Sequence, residues 1–281
     1  MFGKDSSRAG KPFEWERLER TVFLDEETAA FLSALSSAER FEAFKGNSRM
    51  REAFLLEYSY ISAALEGCRY TLQEAVLLLK QGLTANKKWT DAVMLKNIFG
   101  VLEGVMGSRG ACLAGALTKS ALCAVHEGLS RRLVEDECCG KARRHPVRIT
   151  GTSYEPLNSP DLLDKALETM LQTAERCPDP FNKSICLHLN LAYLQYFIDC
   201  NKRTARMIQT AVLYQNGKVP LLLQDKDKAE YMKAVCGYYE TGSADRYIGL
   251  FVQAYCDTML RFCDAACGEE CRRFLEARGR L

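Results

Sequence analysis

Apolar residues recur at helical spacing through most of this chain. Between Glu52 and Glu66 they fall at Phe54, Leu55, Tyr58, Ile61 and Leu65, one stripe of a helix. Glu66 lies one position beyond the last member of that stripe, so the pattern does not require it in the core. Thr71-Leu72-Gln73-Glu74 has the form of a capping box and predicts the start of the next helix. Further helices are predicted over residues 90–105 and 118–133, from Ser159-Pro160 to about Glu175, and over 182–194, 204–214, 226–239 and 244–262. Only residues 146–156 read as extended. There Val147, Ile149 and Gly151 alternate with Arg148 and Thr150, and a Gly-Thr-Ser turn follows. The first 15 residues are polar and are expected to be loose. The pattern predicts an all-α helical bundle with one small extended segment, without internal repeats or a low-complexity linker.

Composition narrows the function classes. Of 281 residues, 47% are hydrophobic and 26% charged, the balance of a globular chain with a sizeable core. A net charge of +2 gives no electrostatic case for a nucleic-acid partner. No apolar run approaches about 18 residues, so no membrane span is expected. The first residues lack the apolar stretch of a secretory signal. Thirteen cysteines, scattered and odd in number, fit a reducing compartment and a cytoplasmic location. Cys263, Cys267 and Cys271 recur every four residues on a predicted helix and would line one face. No C-x-x-C pair or following histidine accompanies them, so they read as buried free thiols rather than metal ligands.

The stretch from His188 to Arg206, HLNLAYLQYFIDCNKRTAR, is the richest in chemistry. An apolar helical run gives way to the polar turn Asp199-Cys200-Asn201-Lys202-Arg203, and a second helical run begins. Helix N-termini carry unpaired N–H groups and partial positive charge, which suits them to anions. Arg203 and Arg206, three apart, project from one helix face. Asp199 lies where a divalent ion would neutralise phosphate charge. These residues point to a nucleotide-phosphate site. They are equally compatible with an ordinary helix start that has an aspartate near its cap and solvated arginines.

The same stretch resembles the signature of the Fic family, H-P-F-x-[DE]-G-N-G-R-x-x-R, within the Fido superfamily. Phe197, Asp199, Asn201, Arg203 and Arg206 match it, and His188 matches a histidine of the preceding helix. Gln195 stands where the family has its catalytic histidine, and Tyr196, Cys200 and Lys202 replace a proline and two glycines. The Asn-Lys-Arg run is similar to that of the Doc branch, whose members are kinases. A second motif, Ser62-x-x-x-Glu66-Gly67, resembles the family's inhibitory motif in the arrangement that precedes the core. Alone, a helix ending in Glu-Gly is commonplace. Val125 to Leu129 resembles the family's helix-ending H-x-x-L segment, and Gly140 to Pro156 resembles the stretch that leads into its flap hairpin.

The resemblance implies a Fic-fold helical bundle. Residues 1–110 form a helical region carrying an inhibitory helix at about 50–67. Residues 111–250 form the core, with the flap at 146–156 and the signature loop at 195–206, and residues 251–281 form a C-terminal helix. It implies transfer of AMP from ATP to a Tyr, Thr or Ser hydroxyl of a target protein. Asp199 would hold Mg2+. Asn201, Lys202, Arg203 and Arg206 would bind phosphates. Val147, Arg148, Ile149, Thr150 and Gly151 would pair with a target strand. Glu66 would face Arg206 and block the productive ATP pose, and regulation through a homo-oligomer is compatible with the family. Glutamine is not basic, so Gln195 impairs this chemistry. His188 is the nearest other base, two helical turns away or about 10 Å. An inactive nucleotide-binding or interaction module is the second expectation, and a Doc-like phosphotransferase the third.

Overall fold

The computed structural model of the chain describes residues 10–107 and 117–279. Of the 15 N-terminal residues that the sequence predicts to be loose, the first nine lie outside that range, as do residues 108–116. Residues 11–14 are held: Lys11 bonds to Ser153 and Glu155, Phe13 stacks on Tyr193 and Glu14 N–H donates to Tyr193 OH. Among the described residues most of the chain is helical, with α1 (Glu26–Leu35), α2 (Ala38–Gly46), α3 (Ser48–Ala64), α4 (Leu72–Gln81), α5 (Trp89–Met106) and α6 (Lys119–Ser130). Then follow α7 (Pro160–Glu175), α8 (Pro180–Leu194), α9 (Asn201–Gln215), α10 (Lys228–Thr241), α11 (Asp245–Phe262) and α12 (Ala266–Ala277).

The pair α8 and α9 forms the middle of the bundle. Every residue of α8 from Ser184 to Leu194 is buried, and α9 is buried from Arg203 to Leu213. A helix covered on all sides needs neighbours all round, and α7, α10 and α1 pack on α8 while α6 and α5 pack on α9. Asp179 caps α8 by accepting the N–H groups of Phe181 and Asn182. The carboxamide oxygen of Asn182 in turn accepts the N–H groups of Phe23 and Leu24, which fastens the N-terminal segment to the central helix. The capping box at Thr71 and Glu74 forms as the sequence predicts.

Three further expectations differ from the structure. Residues 146–156 are extended but form no hairpin, because the returning arm spends its hydrogen bonds elsewhere. Lys11 N–H donates to the Ser153 carbonyl, Glu155 N–H donates to the Lys11 carbonyl, and the Glu240 carboxylate accepts from Thr152 Oγ1 and Ser153 N–H. The Lys11–Tyr154 bridge is parallel. The second difference is that the last segment is two helices rather than one. Asp264 accepts the N–H of Cys267 and starts α12 afresh, so Cys263 closes α11 while Cys267 and Cys271 sit on α12. Helical periodicity runs through that break, which hides it in the sequence. The third is that α9 begins at Asn201, three residues before the predicted start.

Candidate nucleotide-phosphate site

The site is built where α8 stops and α9 starts. α8 ends because Gln195 adopts the left-handed conformation, φ 49° and ψ 49°. Cys200 does the same at the other end of the loop, φ 61° and ψ 10°. Side chains with a Cβ pay about 1–2 kcal/mol for that geometry, so the surroundings must hold it. Asn201 closes the loop from within. Its Oδ1 accepts Phe197 N–H at 2.9 Å, and its Nδ2 donates to the Phe197 carbonyl at 2.8 Å and to Gln195 Oε1 at 3.3 Å. The whole amide is committed to the loop, which explains the early start of α9. Asn201 therefore shapes the site instead of presenting a free donor to it.

His126, on α6, braces the loop from outside. Its ring lies flat on Phe197, with centroids 3.6 Å apart and planes 4° from parallel. Gly140 N–H donates to Nδ1 at 2.9 Å, which puts the ring proton on Nε2, 3.2 Å from the Asp199 carbonyl. Burial, with the nearby Arg203 charge, pushes His126 down to about 4, so it stays neutral near pH 7. Nothing in the sequence pattern from Val125 to Leu129 signals this role. Tyr196 is buried against the same region and donates to Asp164.

The charged residues converge as expected. The Asp199 side chain is 63% exposed at the mouth. Its Oδ1 accepts Cys200 N–H at 2.6 Å, and its Oδ2 is 3.5 Å from Arg203 Nη2. A carboxylate so exposed retains lone pairs for a divalent ion that arrives with phosphate oxygens, the usual mode of Mg2+. No group of three or more His, Cys, Asp or Glu among the described residues forms a metal cage. Arg203 is 5% exposed, and its Nε and Nη1 have no hydrogen-bond acceptor among the described residues. It lies in the first turn of α9, whose cap residue, Cys200, supplies no side-chain acceptor to the N–H groups there.

Arg206, one turn further, is fully engaged. Nη2 donates to Glu66 Oε1 at 2.8 Å and to the Ser62 carbonyl at 3.0 Å. Nε donates to Ser62 Oγ at 3.2 Å, and Nη1 to Tyr231 OH at 3.1 Å. The other oxygen of Glu66 lies 3.9 Å from Lys202 Nζ. Burial pushes the Glu66 carboxyl up, but Arg206, Lys202 and Arg203 outweigh it and leave the group below the ordinary carboxylate range. Glu66 is delivered by the end of α3. Gly67, at φ 91°, turns the chain, and Cys68 N–H reaches back to the Ala63 carbonyl. The Glu-Gly pair is thus both a helix stop and the carrier of a carboxylate.

Two expected contributors lie apart from the chemistry. His188 is buried beneath Arg206, stacked on Tyr247 at 4.8 Å, with Nε2 3.3 Å from Tyr231 OH. Burial and the Arg206 charge push it down to about 3, so it has neither the access nor the basicity to replace a base at residue 195. Gln195 itself donates from Nε2 to the Ala192 carbonyl at 2.6 Å. On the extended arm, Arg148, Thr150 and Gly151 are exposed, while Val147 and Ile149 are half-buried. The alternation that the sequence predicts holds from Val147 to Thr150 and ends at Gly151, which is exposed.

A helical bundle organised around a buried helix–loop–helix, with arginines and an uncapped helix start at its turn, defines the class. Residues 116–213 match the family model of the Fic/DOC family. The chain is similar in structure to Fic-1 (residues 134–508) from C. elegans, with TM-score 0.68, 17% identity, and coverage of 83% of this chain and 70% of that one. It is also similar to a Fic domain containing signaling protein from Bacteroides thetaiotaomicron VPI-5482, with TM-score 0.63, 17% identity, and coverage of 88% and 96%. A Fic family protein from Desulfovibrio desulfuricans G20 gives TM-score 0.65, 16% identity, and coverage of 93% and 78%. The family match spans about a third of the chain, and the solved structures, at 16–17% identity, show the same fold over most of it. No helix among the described residues is long and apolar enough to cross a membrane.

Proposed function

We propose that this protein binds ATP at the start of α9 and transfers AMP to a hydroxyl of a target protein, slowly and under inhibition by Glu66. The observation that carries the reading is Arg203. Its guanidinium is buried with two nitrogens lacking acceptors, beside an uncapped helix N-terminus. A buried guanidinium with two unpaired nitrogens and only a long contact to Asp199 is costly, and an anion at that spot satisfies both features at once. A Mg2+ ion accompanying the nucleotide would neutralise phosphate charge and polarise its oxygens, and Asp199 is the exposed carboxylate that would hold it.

Each residue then has a task. Arg203 and the first-turn N–H groups of α9 hold the phosphates nearest the loop, and Lys202 adds a cation on the same turn. Arg206 is the further phosphate cation, held back by Glu66. Asn201 and His126 fix the loop so that these groups are aimed before the nucleotide arrives. Val147, Arg148, Ile149, Thr150 and Gly151 offer main-chain groups to a target strand. Residue 195 is the position for the proton acceptor, and a glutamine amide removes no proton from a hydroxyl near neutral pH. Losing a placed base typically slows a reaction on the order of 100- to 10,000-fold.

A second reading, nucleotide binding without turnover, is favoured by one observation. The Gln195 amide is engaged at both its nitrogen, on the Ala192 carbonyl, and its oxygen, on Asn201, and neither His126 nor His188 replaces it. Intact-mass spectrometry after incubation with ATP and Mg2+ separates the readings. It is run on wild type, Glu66→Gly, and Glu66→Gly with Gln195→His. A gain of one AMP, largest in the double variant, supports AMP transfer. A gain of one phosphate instead moves the Lys202-based phosphotransferase reading ahead. No gain in any variant, with nucleotide still bound, leaves the non-catalytic reading.

A further inference from the structure

We propose that Arg143 is a positioning residue that couples the extended arm, residues 145–158, to the first residue of the signature loop. Arg143 is buried, and no carboxylate meets its guanidinium among the described residues. Its partners are oxygens of neutral groups from both places. Nε donates to the Gln195 carbonyl at 2.6 Å. Nη1 donates to the His145 carbonyl and to Asn158 Oδ1, each at 3.0 Å. Nη2 donates to the Leu157 carbonyl at 2.5 Å. Its main-chain N–H adds a bond to the Tyr196 carbonyl at 3.0 Å.

The chemistry of this choice is informative. Burial lowers the proton affinity of the guanidinium, with Tyr154 opposing, yet arginine stays charged at any ordinary pH. A buried charge without a counter-ion is expensive, and an apolar side chain would fill the same space more cheaply. What an apolar side chain lacks is a rigid planar fork. Only such a fork reaches both roots of the arm, at 145 and at 157–158, and residue 195 together. Residue 195 needs an external anchor because it is a non-glycine residue in the left-handed region. Asn158 Oδ1 also accepts Val147 N–H at 3.3 Å, which extends the linkage into the arm itself. A displacement of the arm is thereby transmitted to the carbonyl of residue 195. The functional meaning of that link rests on the proposed reading, in which the arm receives the target and residue 195 is the place of the base. The link itself does not.

Hydrogen exchange on the full chain tests it, with wild type, Arg143→Met and Arg143→Lys compared. The expected result for Arg143→Met is an exchange rate about ten-fold higher or more at Val147 and at Phe197 together, with α11 unchanged. Arg143→Lys, whose single ammonium reaches only one of the two sides, should release the other side alone. It also keeps the test alive if the Met variant fails to fold. A rise at only one segment in Arg143→Met overturns the coupling, as does an equal rise in α11 or no rise at all. MgADP is then added as probe. In wild type it should protect both 196–200 and 145–158, and in the Arg143 variants only 196–200. Protection of both segments in the variants would overturn the proposal. Absence of any protection in wild type would count against nucleotide binding, while the exchange of the free proteins still judges Arg143.

Discussion

Cys200 and Gln195 bracket the signature loop in the left-handed conformation, where glycine is the least strained residue. The sequence shows the substitutions, but their cost emerges only from the backbone. At Cys200 the side chain is buried, and burial pushes its thiol up to about 12, so it is a packed, unreactive group. Two effects oppose each other on replacement: glycine relieves the strain, and any smaller residue loses the thiol's packing. A comparison of Cys200→Gly with Cys200→Ala cancels most of the packing loss. The glycine variant should be more stable than the alanine variant by about 1 kcal/mol. Urea unfolding measures this, and equal stabilities would remove strain as a feature of the loop.

α3 and α9 meet through a carboxylate shared by two cations. Glu66 gives one oxygen to Arg206 and the other to Lys202, which is i−4 from Arg206 on the same face. The two contacts differ in strength. The Arg206 contact is short and buried, and removing Glu66 should destabilise the fold by about 3 kcal/mol. The Lys202 contact is long, and the lysine is partly exposed, so it contributes about 0.5 kcal/mol. Lys202 therefore tightens the hold of α3 on α9 slightly. On the proposed reading, Lys202 is a free cation for phosphate once Glu66 is absent. Lys202→Gly should improve MgADP affinity about two-fold in wild type. The same substitution should weaken affinity in a Glu66→Gly background. Titration calorimetry on the four proteins gives the cycle, and a change of the same sign in both backgrounds would show that Lys202 does not serve the clamp.

For the whole molecule, two buried histidines set a dependence of stability on pH. His126 is pushed down to about 4 and His188 to about 3, each chiefly by burial, from an ordinary 6.5. Their native values lie below the unfolded value, so the unfolded chain takes up protons first. Stability is complete above about pH 6.5 and falls as pH drops toward 4. Most of the window from 6.5 to 4.5 precedes the titration of the carboxylates. The expected loss by pH 5.5 is on the order of 2 kcal/mol. His188→Phe should remove about half of it. Denaturant midpoints measured at pH 7, 6 and 5.5 decide the matter, and a flat profile would contradict the burial of these rings. Glu66 behaves oppositely. Its native value is lowered, so its pairing contributes above about pH 4.5 and fades only as pH falls through the native value. Mild acid should therefore weaken the fold around His126 before it releases Glu66.

The sequence by itself determined the helices, because burial repeats every three to four residues and leaves its period in the chain. It also located Asp199, Asn201, Lys202, Arg203 and Arg206, because they lie within one short stretch. The pairing of Glu66 with Arg206, 140 residues apart, was legible only through a resemblance in spacing. Tertiary structure decided the rest. It withheld the hairpin, since Lys11 and Glu240, far off in sequence, took the bonds of the returning arm. It turned Asn201 inward onto Phe197 and laid His126 against the same ring. It also separated Arg143, buried among carbonyls, from exposed Arg144 beside it. Adjacent arginines look alike in a sequence. Which of them is buried depends on what the fold brings around it, and that information lies in contacts between distant residues rather than in any local pattern.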